Sequence, residues 1–264
     1  MPQAVRSLAV AFWFVAAAAA PADAQPPLAD PPDAPAFLSR FDFRMSAAAL
    51  SHDDQRFTWD THWAGDFDFI DYVVGRMTFL ADYQALLGEE FRPFDPYQSN
   101  YYLAVSGSIR RRADEFAFVF HHLSRHLGDR PKPDSVAYNA MLGRYLRQFD
   151  LGEAVLDVRG DVGPVVARAI VDYTWIGNLD LTLRRQLSPR LGVYGRAYGE
   201  TFAVDETIAG RTRQNGGRVE AGVRLSGGDA AIDLFGGVER VVDADPLDRL
   251  ARTWAFAGFR LVGR

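Results

Sequence analysis

The chain predicts an all-β fold, an antiparallel up-and-down transmembrane β-barrel of about 12 strands, on three observations. Apolar and polar residues alternate with period two along most of it, as in Arg218–Leu225, where Arg218, Glu220 and Arg224 oppose Val219, Ala221, Val223 and Leu225. The alternating segments run about 10–12 residues, the length of a tilted membrane crossing. Aromatic residues make up 13% of the chain and gather near segment ends, at Trp59, Trp63, Tyr97, Tyr101, Tyr102, Tyr173, Trp175 and Trp254, where interfacial girdles need them.

The N-terminus reads as an export signal. Arg6 precedes an unbroken apolar run from Leu8 to Ala20, 13 residues long and too short to span a bilayer as a helix. Ala22-Asp23-Ala24 supplies small residues for cleavage before Gln25, so residues 1–24 are expected to be a signal peptide. Residues 25–38 carry five prolines without periodicity and read as a Pro-rich disordered lead-in. Residues 39–264 show no comparable break and form one domain, the barrel. The absence of cysteine excludes disulfides, thiolate metal sites and a lipoprotein anchor. A net charge of −5 argues against nucleic acid as a partner. The expected location is the outer membrane, and the expected partners are outer-membrane lipid, lipopolysaccharide and the barrel-assembly machinery. No cofactor is implied.

Fourteen strand candidates follow: 40–49, 56–63, 67–75, 77–87, 99–110, 114–126, 136–148, 153–160, 165–175, 178–187, 191–202, 217–226, 230–241 and 252–262. Merging of neighbours, chiefly before residue 76 and over 153–175, reduces them to about 12. Arg111–Asp114, Ser188-Pro189-Arg190 and Ser226-Gly227-Gly228-Asp229 are short turns. Glu89–Gln98, Leu127–Ser135, Val204–Asn215 and Val242–Leu250 are long loops. Gly216-Gly217 also reads as a turn. Short turns on one rim and long loops on the other are the bacterial outer-membrane arrangement. The short–long alternation slips once between residues 150 and 203. Arg110-Arg111-Arg112 reads as a turn at the periplasmic rim, in contact with anionic headgroups, and Asp66, Asp68 and Asp71 as solvated loop acids without the glycine and glutamate of a calcium loop. Arg184, Arg196, Glu200, Arg218, Glu220 and Arg224 are lumen candidates.

Three of the five histidines fall in His121-His122-Leu123-Ser124-Arg125-His126. On a strand, His122, Ser124 and His126 share a face with Phe116, Phe118 and Phe120. This face can be a polar rim hydrogen-bonded to loop backbone, with Asp129 fixing the turn. It can also be catalytic, with His122 taking the Ser124 proton and a third group orienting the imidazole. A hairpin centred between Pro131 and Lys132 sets Ser124 opposite Asn139 and His122 opposite Met141, so that Asn139 reaches His122 diagonally. A metal site of His122, His126 and Asp129 is disfavoured, because residues four apart on a strand are separated by about 13 Å.

The His-x-Ser pair resembles that of outer-membrane phospholipase and lipid A deacylase barrels, which implies a site on the outside of the barrel near the outer leaflet. Arg125 stands where an asparagine follows the serine in those enzymes. The string His122-Leu123-Ser124-Arg125-His126-Leu127-Gly128-Asp129 also resembles the H-L-S-S-H-L-G-D signature of an uncharacterised bacterial barrel family, with Arg125 replacing the second serine. Ser-Pro-Arg-Leu-Gly-Val-Tyr-Gly at 188–195 is similar to that family's later hairpin. This resemblance implies export and a barrel, and no known activity. The first functional expectation is therefore an outer-membrane barrel of unassigned activity, structural or transporting small solutes. The second is an outer-leaflet lipid acyl hydrolase using His122, Ser124 and Asn139. The third is a soluble periplasmic barrel that binds an apolar ligand.

Overall fold

Each alternating run extends into a strand of 12 to 17 residues, longer than a membrane crossing requires. The computed structural model describes residues 31–128, 136–245 and 247–263. Twelve strands follow in order: β1 (Ala36–Ser51), β2 (Trp59–Asp71), β3 (Arg76–Gly88), β4 (Asp95–Arg111), β5 (Asp114–Leu127), β6 (Val136–Asp150), β7 (Ala154–Ala169), β8 (Tyr173–Ser188), β9 (Leu191–Val204), β10 (Gln214–Ser226), β11 (Ala230–Val241) and β12 (Arg252–Gly263). Each pairs antiparallel with its sequence neighbour. β12 pairs back onto β1, from Phe43 opposite Gly263 to Ser51 opposite Ala255. Closure removes every sheet edge, which hydrocarbon requires because it offers no partner for a free backbone group. A four-residue helix, α1 (Glu206–Ala209), lies between β9 and β10, and the Asp205 side chain accepts from the Thr207 N–H at its start.

The side chains are distributed inside out. Leu179, Val219 and Val223 are 47, 39 and 38% exposed on the outer wall, whereas Arg218 and Glu220 are 6 and 1% exposed within. A soluble barrel requires the reverse, so the soluble ligand-binding expectation is set aside. Ion pairs cross the interior in layers. Arg76, with no exposed side-chain surface, donates to Asp68 at 3.2 Å and to Glu115 at 2.9 Å. His62 bridges Asp60 at 3.2 Å and Asp82 at 3.0 Å. Arg260 donates to Glu220 at 3.0 Å. Each of these buried charges thus meets an opposite one, the condition for its tolerance away from water.

Several sequence expectations change. Segments 56–63 and 67–75 are largely one strand, β2, because Asp66 continues the inward row and bonds Arg40 at 2.9 Å. Asp66, Asp68 and Asp71 are buried strand residues and not solvated loop acids. A bulge between Asp68 and Ile70 inserts Phe69 and turns Asp71 inward, where Arg110 donates to it at 2.7 Å. Arg110 is accordingly a strand residue, and only Arg112 takes the positive φ of the turn. Segment 165–175 divides between β7 and β8, joined over 170–172; this short link on the long-loop rim is the slip in the loop alternation. Gly216 and Gly217 lie within β10, and Gly216 pairs with Glu200. Of the expected girdle, Trp63, Tyr101 and Trp175 face outward, whereas Tyr97, Tyr102, Tyr173 and Trp254 are buried in the interior.

Those inward aromatics cap the lumen at the long-loop rim, where residues 242–245 fold in and are buried. Arg211 donates to Asp243 at 2.5 Å and to Asp172 at 2.6 Å, and the Tyr173 hydroxyl donates to Asp243 at 2.5 Å. Tyr97 donates to Asp245, and Arg56 reaches the same carboxylate at 2.5 Å. The mouth is closed by this network. Residues 1–30, the expected signal peptide and most of the lead-in, lie outside the described residues, as do Asp129, Pro131 and Lys132.

Candidate catalytic face

On β5, Phe116, Phe118 and Phe120 are exposed on the outer wall, and His122, Ser124 and His126 continue their row toward the long-loop rim. The alternate residues turn inward. The His121 ring meets Tyr138 edge-on at 5.8 Å, and Arg125 donates to the Asp243 carbonyl at 2.5 Å. Arg125 therefore belongs to the closure of the mouth and lies on the opposite face from Ser124.

The β5–β6 register differs by two residues from the expectation. His122 stands opposite Asn139, and Ser124 opposite Ala137. The connection has nearly the expected length, and the pairing is centred one residue earlier in the chain than a hairpin symmetric about Pro131 and Lys132 would set it. The diagonal contact expected between Asn139 and His122 becomes a direct one. His122 Nδ1 lies 2.6 Å from Asn139 Oδ1. The amide oxygen can only accept, so Nδ1 carries the proton. In the neutral imidazole Nε2 is then the free base, the tautomer a general base needs. Ser124 is two residues along the same face, about 7 Å away at the backbone. No hydrogen bond joins its hydroxyl to His122 among the described residues, and such bonds commonly tighten only when substrate is present.

β7 shapes the ground under Asn139. The β6–β7 ladder shifts between Asn139 and Ala140, leaving Val166 as an extra residue, two positions beyond Pro164, which has no N–H to donate. Gly163 permits the close approach there, because a Cβ would come within 2.0 Å of the Met141 carbonyl oxygen. On the other side of Ser124, β4 places Tyr101 directly opposite it. Tyr101 meets His126 at 5.4 Å and Tyr83 at 5.2 Å, and Tyr83 meets Trp63 at 5.7 Å. An aromatic row thus runs along the wall to Ser124. The individual aromatics were visible in the sequence; their alignment required the register.

The lumen candidates occupy the interior, the four arginines and Glu220 as paired charges. Arg184 donates to Asp157 at 2.7 Å, Arg196 to Asp180 at 2.6 Å and Arg224 to Asp233 at 2.6 Å. Arg218 bridges Glu220 at 2.8 Å and Glu239 at 2.9 Å. Glu200 accepts from the Tyr198 hydroxyl at 3.4 Å and lines a small cavity of about 40 Å³ beneath the mouth. Sequence reasoning missed Arg76, Glu115, Arg260 and the His62 cluster, although each occupies a polar position of an alternating run. Among the described residues no group of three histidine, aspartate or glutamate side chains is arranged to hold a metal.

At the mouth, the Arg56 hydrogen bonds hold Asp54 down at about 2, against the burial that opposes them. Burial alone would raise Asp172, and its Arg211 bonds outweigh that and hold the carboxyl below its usual range.

No protein-family model matches the chain. No curated protein matches it in sequence. Among solved structures it is similar to outer membrane phospholipase A from Escherichia coli. An active-site mutant of that protein aligns with a TM-score of 0.52 at 11% identity, over 86% of this chain and 91% of that one. A second structure of it gives 0.50 at 12% identity, over 85 and 92%. The Acinetobacter baumannii outer membrane protein Omp33 aligns with a TM-score of 0.41 at 10% identity, over 85 and 97%. The likeness to the two phospholipase A structures shows an outer-membrane type of barrel fold. The barrel fold expected of this chain is thus supported, and no sequence match supports the uncharacterised family or its signature.

Proposed function

We propose that the protein is an outer-membrane acyl hydrolase that cleaves ester-linked lipids at the outer leaflet. The observation that carries this reading is the 2.6 Å contact between His122 Nδ1 and Asn139 Oδ1, on the outward wall and two residues from Ser124. In this reading His122 Nε2 takes the Ser124 proton as Oγ attacks the ester carbonyl. The imidazolium returns that proton to the departing alcohol oxygen, leaving an acyl-serine. Water then attacks the acyl-serine, again through His122, to release the fatty acid and restore the serine. Asn139 holds the ring in the required tautomer and orientation. A hydrophobic approach past Phe116, Phe118 and Phe120 suits an acyl chain that never leaves the membrane.

Export through residues 1–24, residence in the outer membrane, assembly by the barrel machinery and contact with lipopolysaccharide belong to the same proposal. The layers of interior ion pairs and the closed mouth weigh against solute conduction. The neighbours named phospholipase share only the fold at their level of identity, so the reading stands on the three side chains.

The test is a fluorophosphonate probe applied to the refolded, full-length barrel, with fatty-acid release from phospholipid micelles measured in parallel. Wild type is expected to label and hydrolyse, and Ser124→Ala to do neither while keeping its heat-modifiable gel mobility. A folded wild type that neither labels nor releases fatty acid would sink the proposal.

A further inference from the structure

The lower half of the barrel interior is not filled. A cavity of about 530 Å³ lies between the ion-pair layers and the short-turn rim, within the size range of small-molecule sites. Eight arginines and four carboxylates line it. It is bounded above by the Arg218–Glu220–Arg260 cluster and its lining includes Glu153, Pro189 and Ser226, at or beside the turns 151–153, 189–190 and 227–229. Short turns face the periplasm in bacterial barrels, so the chamber opens to that side and ends blindly.

The charge that this chamber presents is not the balanced charge of its ion pairs. At the two pairs with the most open arginines the guanidinium is the more exposed partner. Arg224 retains 29% against none for Asp233, and Arg184 retains 32% against 23% for Asp157. The pairing geometry adds to this. Asp157 accepts from Nε and Nη2 of Arg184, at 2.7 and 3.1 Å. Asp233 accepts from Nε and Nη2 of Arg224, at 2.6 and 2.8 Å. Both carboxylates thus take the same side edge of the guanidinium, fixing its plane. Among the described residues no hydrogen bond engages Nη1 of either arginine. A planar fork held on one edge with donors left on the other is suited to a second carboxylate or phosphate. Val155, Val193 and Val262 supply apolar wall between the arginines.

We infer that this chamber is a periplasm-facing binding site for a small multivalent organic anion, carrying two or more carboxylate or phosphate groups, held by Arg184 and Arg224. The site is separate from the His122 face, on the opposite half of the barrel, and does not depend on hydrolysis there.

Calorimetric titration of the refolded full-length barrel in zwitterionic detergent tests it, with inorganic pyrophosphate and citrate as probes at low salt. Saturable binding of at least one probe is expected, weakening about tenfold or more in Arg184→Gln/Arg224→Gln. Pyrophosphate alone would identify a phosphate ligand, and citrate alone a carboxylate. The variant is expected to fold, because Asp157 keeps the Gln148 amide at 2.8 Å and Asp233 keeps Arg260 at 3.4 Å. Should the double variant lose its heat-modifiable mobility, Arg224→Gln alone carries the comparison. Arg111→Gln, on the same rim but outside the chamber lining, is expected to bind as wild type does. No saturable heat with either probe, or equal weakening by Arg111→Gln, overturns the inference.

Discussion

Asn139 and His122 face each other directly across β5 and β6 on the outer wall, Oδ1 to Nδ1 at 2.6 Å. The contact joins two strands whose connection spans residues 128–135, so it exists only because the barrel register sets it. A neutral amide there orients the ring without adding charge. Asn139→Ala is expected to lower kcat on the order of 10²-fold, with a smaller effect on KM, because it removes the orienter and leaves the acyl-chain approach unchanged. Asn139→Asp keeps an acceptor facing Nδ1 and is expected to retain more activity than Asn139→Ala. Steady-state kinetics on micellar ester substrate read both effects; an Asn139→Ala variant with unchanged kcat counts against the orienting role.

Arg76 has no route to water and two carboxylate partners, Asp68 and Glu115. Arg76→Ala leaves both buried without that cation, and is expected to cost about 3–5 kcal/mol. Urea unfolding of the refolded barrel in detergent measures it. A midpoint equal to wild type would show that water or neighbouring arginines substitute at once.

The mouth closure at Asp243 sits above further layers of ion pairs. Arg211→Ala removes its bonds to Asp172 and Asp243 and is expected to loosen residues 242–245. Conductance in planar bilayers should stay flat in wild type and in this variant, because the Arg218–Glu220–Glu239 layer remains below. Steady current through the variant would show that the mouth alone is the seal.

Asp54 offers a pH test on the loop between β1 and β2. Its carboxyl is held at about 2 in the folded loop, against an ordinary value of 3.8. The Arg56 contact therefore contributes its full stability above about pH 4, and that contribution is lost as pH falls toward 2. Phe57 packs on Trp254 at 5.5 Å, so tryptophan emission should report loosening of the loop in that window. Asp54→Asn should lack the transition; a transition of equal size in that variant would assign it elsewhere.

The alternation of Arg218–Leu225 showed a strand with one ionic and one apolar face, because period two leaves each strand only two faces; the segment length and the aromatics near segment ends chose the orientation. Asp66 was harder to place. It interrupts what reads as a strand, and only its partner Arg40, 26 residues away, shows why an acid belongs there. Tyr97 and Trp254 have the composition of girdle residues, but their inward direction follows from a loop that folds back over them. At the candidate site, His122, Ser124 and Asn139 were legible as residue types on two neighbouring strands. Their direct opposition was not, because register depends on where the pairing is centred, and period-two patterning is unchanged by a shift of two residues.

The interior cations described above are guanidinium groups, His62 apart, and a guanidinium keeps its proton at any pH a cell meets. Titration can therefore remove only the negative half of the lining. Alkali leaves the bolts of this barrel in place, whereas strong acid turns the same scaffold into a cylinder of mutually repelling cations. The wall is built to fail from one side of the pH scale.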